Sequence, residues 1–175
     1  MEKTAVQKLA GALKVLVTIT LVCNLVALLL VPGMSLMKGP EELLALTPYE
    51  NPLEVPLRVG IAFVLSWGWV WTAGVYEVVL ALFLLFCGIC TAVILWQGRR
   101  VLGTILTGAP FRAENGVSLR RAAVCCFLIA AAALARVVWG LFYYGSVAPL
   151  LTYNALFVPI FILGGLLCLV MSALF

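Results

Sequence analysis

Four apolar runs, each long enough to cross a bilayer, leave this chain one kind of solution. Every backbone N–H and C=O within them must find its partner inside the run, so the runs must be helices. They cover residues 9–31, 72–96, 122–144 and 153–175, or 23 to 25 residues each. A helix of about 20 residues covers a hydrocarbon core of ~30 Å. The pattern predicts an all-α integral membrane protein, a single transmembrane domain over 1–175 built as a four-helix bundle. Composition agrees, with 65% of 175 residues hydrophobic and 10% charged, where a soluble domain is about a quarter charged. The lipid bilayer is therefore the first expected partner.

One long polar island interrupts the runs. Residues 98–121 read GRRVLGTILTGAPFRAENGVSLRR and carry five arginines and one glutamate. Eight of the eleven lysines and arginines lie there or at the N-terminus. The positive-inside rule predicts that this loop and both chain ends face the cytoplasm. The net charge of +4 does not argue for direct nucleic-acid binding, because the basic residues flank spans and set orientation. No removable signal peptide is read at the start, since the first run has the length of a full span.

Residues 33–71 form the expected outer segment. Pro32 and Gly33 are read as the end of the first span. Pro40-Glu41-Glu42-Leu43-Leu44 has the proline and acids of a helix start. Pro48, Pro52 and Pro56 are expected to break any long helix. Trp67, Trp69 and Trp71 suit the membrane–water interface, so the stretch before Thr72 reads as an interfacial cap or a bent approach to the second span rather than a fifth span.

The residues exclude much chemistry. The chain has no histidine, the commonest general base and metal ligand near neutral pH. All six cysteines (Cys23, Cys87, Cys90, Cys125, Cys126 and Cys168) fall inside apolar runs and read as small buried residues rather than disulfide partners. Cys87 and Cys90 have the spacing of a redox pair, but they sit at lipid depth without a basic neighbour in sequence. No catalytic, cofactor-binding or metal-ligating set is read, and a non-enzymatic role is expected.

Gly108-Ala109-Pro110-Phe111-Arg112-Ala113-Glu114-Asn115 is the sharpest local pattern. Glycine permits a turn there, and proline can begin the next helix. Val101, Leu102, Ile105 and Leu106 recur at helical spacing, so residues 99–107 either prolong the second span or lie on the membrane. The segment reads either as a tight turn packing two spans or as a docking surface made of Arg99, Arg100, Phe111, Arg112, Arg120 and Arg121. The phrase GAPFRAENGVSLRR resembles the G-x-PF…N…LR signature of the bacterial four-span membrane proteins called domain of unknown function 2975. The four-span layout and the basic loop before the third span are similar too. Arg112 departs from the small residue often found after that phenylalanine. The resemblance implies a bacterial inner-membrane protein without assigned chemistry, often encoded beside a small helix-turn-helix regulator that it could hold at the membrane.

Glu77 and Arg136 are the charged residues expected deep in spans, where such groups are rare and usually paired. With Asn24 and Asn154 they form an expected polar network in the outer half. It reads either as a structural tie or as the site of a small transporter or receptor for a hydrophobic peptide or lipid. Small residues at 130–133, 135, 164 and 165 are read as helix-packing positions.

Overall fold

The computed structural model describes residues 5–36, 54–109, 112–145 and 153–174. Among these, every regular element is helical. The order is α1 (Ala5–Leu36), α2 (Glu54–Trp69), a 3-10 turn (Val70–Thr72), α3 (Val75–Leu106), α4 (Ala113–Tyr144) and α5 (Tyr153–Ala173). Helices α1, α3, α4 and α5 are each long and apolar enough to cross a membrane. Helix α2 has 16 residues, about 24 Å of rise, short of a ~30 Å core. The chain divides into two compact units, Met1–Leu25 with Phe86–Phe175, and Val26–Leu85.

Several boundaries differ from the sequence expectation. Helix α1 runs through Pro32 to Leu36 instead of stopping at Pro32-Gly33. Proline removes one N–H and crowds the carbonyl one turn back, but a span tolerates this where neighbours satisfy the disturbed backbone. The carbonyl that loses its donor is Leu28 O; the next one, Leu29 O, accepts from the Trp67 indole Nε1 at 3.0 Å, and Pro32 is fully buried. Pro56 does not break a helix. It sits in the first turn of α2, where a missing N–H costs nothing. The helix start read at Pro40, and Pro48 and Pro52, lie outside the described residues.

The Val26–Leu85 unit has a small core of Val31, Val70 and Ala81, with Leu84 and Leu85 against it. A real break separates α2 from α3. Ala73 is extended at ψ 179°, and its N–H closes the 3-10 turn on Val70 O. The three tryptophans divide their roles. Trp67 spends its N–H on α1, while Trp69 and Trp71 present exposed rings.

In the other unit, α4 is the helix with most of the core. Ala122, Ala123, Cys126, Ile129, Ala130, Ala133 and Val137 are all buried, and they recur every three or four residues along one face. Small residues let backbones approach closely, which replaces the hydrophobic drive that lipid does not supply. Helix α5 packs antiparallel on α4. Ser172 Oγ donates to Gly116 O at 2.9 Å, and Gly165 lies so close to the Phe127 ring that an added Cβ would stand 2.9 Å from it. The opposite side of α5 is bare, with Leu163 and Leu167 about two-thirds exposed. An apolar surface of that kind suits lipid rather than water.

Candidate functional site

The polar island is not a loop along most of its length. Helix α3 continues to Leu106 and α4 starts at Ala113, so the connection is only 107–112. Arginine is a good helix former, and membrane depth does not dictate where a helix ends.

Gly108 makes the short connection possible. It adopts φ +75°, the left-handed conformation that side chains resist. Its N–H donates to Ile105 O, and the Ala109 N–H donates back to Thr104 O, both at 3.1 Å. This pair of bonds is the Schellman closure of a helix C-terminus. A side-chain clasp then ties the two helices. Asn115 Nδ2 donates to Thr104 Oγ1 at 2.7 Å, and the Thr104 hydroxyl reaches Val101 O at 2.7 Å. Asn115 is 2% exposed, so its side of this bond is shielded from bulk water. Ser118 is buried one turn further along α4, and Gln97 is buried two turns before Thr104 on α3. The result is a polar seam between the two helices, in which the buried Gln97 Oε1 has no hydrogen-bond partner.

The start of α1 runs antiparallel to the end of α3. A Cβ built on Gly108 would meet Gln7 Nε2 at 3.8 Å, one on Gly103 would meet Lys14 Nζ at 3.6 Å, and one on Gly11 would meet Leu106 at 3.7 Å. Lys14 therefore joins the arginines of the polar end.

Two cavities open among these helix ends. The first, about 220 Å³, is lined by Arg100, Gly103, Thr104, Thr107, Arg112, Glu114, Asn115 and Ser118. The second, about 250 Å³, is lined by Lys14, Trp96, Arg99, Arg100 and Gly103. They share Arg100 and Gly103. Together they hold four cationic side chains and one carboxylate. Arg99 lies over the Trp96 ring, 5.8 Å from its centroid. No family model, curated protein or solved structure matches the chain.

Of the residues expected to dock a partner, Arg99, Arg100 and Arg112 line these cavities. Arg120 and Arg121 are exposed on α4 and line neither. Phe111 lies outside the described residues. Lys14, Thr104 and Ser118 were missed because each reads alone as a flank or a span residue; only the helix register brings them together.

The residues of the expected intramembrane network fall in both compact units. Glu77 belongs to the Val26–Leu85 unit. It occupies the first turn of α3, a helix that starts at Val75 and extends ten residues past the expected end at 96. Its carboxylate folds over Gly74, where a Cβ would stand 2.5 Å from Oε2, and an acid suits a helix N-terminus. Asn24 and Arg136 belong to the other unit. Asn24 Oδ1 is buried without a hydrogen-bond partner. Asn154 is the second residue of α5, and its side chain lies outside the described residues. Cys87 and Cys90 both lie on α3 and both are free thiols. Among the described residues, no group of three histidine, cysteine or acidic side chains could hold a metal ion.

Proposed function

We propose that the chain is a non-enzymatic bacterial inner-membrane protein that holds a small soluble regulator at the membrane through its arginine-rich cytoplasmic end. The docking surface is Arg99, Arg100, Phe111, Arg112, Arg120 and Arg121. The regulator, of the helix-turn-helix kind implied by the family resemblance, offers an acidic face and is kept from its own target while bound. The observation that carries this reading is the hydrogen-bonded tie between the arginine-bearing ends of α3 and α4. The Gly108 closure and the Thr104–Asn115 clasp tie the ends of α3 and α4, which carry Arg99, Arg100, Arg120 and Arg121, with Arg112 at the N-cap of α4. Preorganised charges lose less entropy on binding than charges on a free loop.

The test is affinity purification from native membranes, comparing wild type with Arg120→Ala/Arg121→Ala and with Phe111→Ala. An acidic soluble protein should co-purify with wild type and identify itself by mass spectrometry. The double arginine variant should lose it first as salt is raised, because exposed charges are screened at high ionic strength. Equal recovery with all three proteins would refute the docking surface. Recovery of no acidic protein would refute the regulator role.

A further inference from the structure

We propose that the two cavities meeting at Arg100 and Gly103 form one binding site for the headgroup of an anionic phospholipid that carries two phosphodiesters, one phosphate in each cavity.

The chemistry of the lining points to phosphate. Arginine guanidinium presents a planar fork of donors that matches phosphate oxygens. The first cavity has Arg100 and Arg112, with the Thr107 and Thr104 side chains beside them. It also lies at the start of α4, whose N-cap Arg112 makes no side-chain cap hydrogen bond, so first-turn N–H groups and the helix dipole favour an anion there. Glu114 also lines this cavity and opposes an anion, but two guanidinium groups outweigh one carboxylate. The second cavity has Lys14, Arg99 and Arg100 and no acidic residue. Among the described residues, the side chains of Lys14, Arg100 and Arg112 have no ion-pair or hydrogen-bond partner.

The position points to a lipid rather than a free phosphate. The cavities lie at the ends of candidate membrane spans α1, α3 and α4. Basic pockets between spans on the cytoplasmic side suit anionic headgroups. Trp96 lines the second cavity and is half exposed, as suits a ring at the headgroup level. Gly103 leaves the junction open, since a side chain there would grow toward Lys14 Nζ. Two neighbouring cavities that share one arginine fit two linked phosphates better than one. The site shares Arg99, Arg100 and Arg112 with the proposed docking surface, but lipid binding is read on the purified chain without a soluble partner, so its failure and the failure of the regulator reading are distinguishable.

The experiment is native mass spectrometry of the purified full chain in a neutral detergent, titrated with bisphosphatidylglycerol, phosphatidylglycerol or phosphatidylcholine. A parallel arm adds inorganic phosphate or glycerol phosphate as competitor. One bisphosphatidylglycerol should bind per chain, more tightly than phosphatidylglycerol, with no specific binding of phosphatidylcholine. Arg100→Gln should weaken it about tenfold or more, the scale of one charge-assisted hydrogen bond. Gly103→Leu, which keeps every charge, should weaken it as well. Lys8→Gln removes a charge outside both cavities and should leave binding unchanged. Equal losses in Lys8→Gln and Arg100→Gln would reduce the effect to general charge attraction and overturn the site. Equal affinity for phosphatidylglycerol would overturn the two-phosphate assignment. Displacement by millimolar inorganic phosphate would make it a soluble-anion site and overturn the lipid assignment.

Discussion

Asn115 shows how one side chain can position a whole surface. Its amide satisfies Thr104 in a buried seam, and through that bond the first turn of α4 is fastened to the last turn of α3. The Thr104 hydroxyl keeps Val101 O when the asparagine is removed, so Asn115→Ala should cost the net worth of a hydrogen bond, about 0.5–1.5 kcal/mol, in thermal melts in detergent. Thr104→Val should cost less in the Asn115→Ala background than in wild type, because the two residues share the bond and their effects cannot add. Additive losses would show that the clasp contributes nothing. The asparagine was visible in the sequence as part of the GAPFRAEN phrase, and so was the turn at Gly108. Its partner was not, because eleven residues separate Thr104 from Asn115 and only the register of two packed helices selects that threonine.

Between elements, two neighbouring glycines on α5 give a controlled comparison. Gly165 faces the Phe127 ring at a distance too short for a Cβ, whereas Gly164 has open space around it. Alanine at either position gains about 1 kcal/mol of helix propensity. Gly164→Ala should therefore leave the melting temperature unchanged or raise it. Gly165→Ala should lower it by forcing Phe127 away, and Phe127→Leu should recover part of the loss. Equal effects at both glycines would mean that α4 and α5 do not pack as closely as described. The glycine pair was legible as a packing feature, but the choice between the two was not, because a difference of 100° around the helix decides it. Helix ends were the least legible feature. Apolar composition marks the stretch immersed in lipid, and α3 extends past that stretch to Leu106 because its arginines, glycine-spaced leucines and isoleucine still form a helix that packs on α1.

At the scale of the molecule, four candidate spans were legible because almost nothing else can be made of four long apolar runs. The arginine bias alone predicts which side of the membrane each end faces. In a background without the native thiols, Ala45→Cys should react with a membrane-impermeant maleimide in intact cells. Ala113→Cys should react only after permeabilisation. The reverse pattern would invert the orientation and remove the cytoplasmic site with it.

Helices α4 and α5 differ in length, with 32 residues against 21. At about 1.5 Å per residue these are rods of roughly 48 Å and 31 Å. The Ser172–Gly116 bond sets them nearly flush at the polar end, so most of the surplus of α4 stands at the other end. That surplus carries Trp139 stacked on Tyr143, with centroids 4.9 Å apart, and the highly exposed Phe142. Helix α5 matches the thickness of an average hydrocarbon core of ~30 Å, while α4 overshoots it by more than half. Aromatic rings tolerate both acyl chains and headgroups, so this overshoot can be immersed or lifted at small cost. The pair thus has one end held in register and one end that absorbs hydrophobic mismatch, and a thicker or thinner bilayer would be accommodated at the aromatic end without moving the arginines.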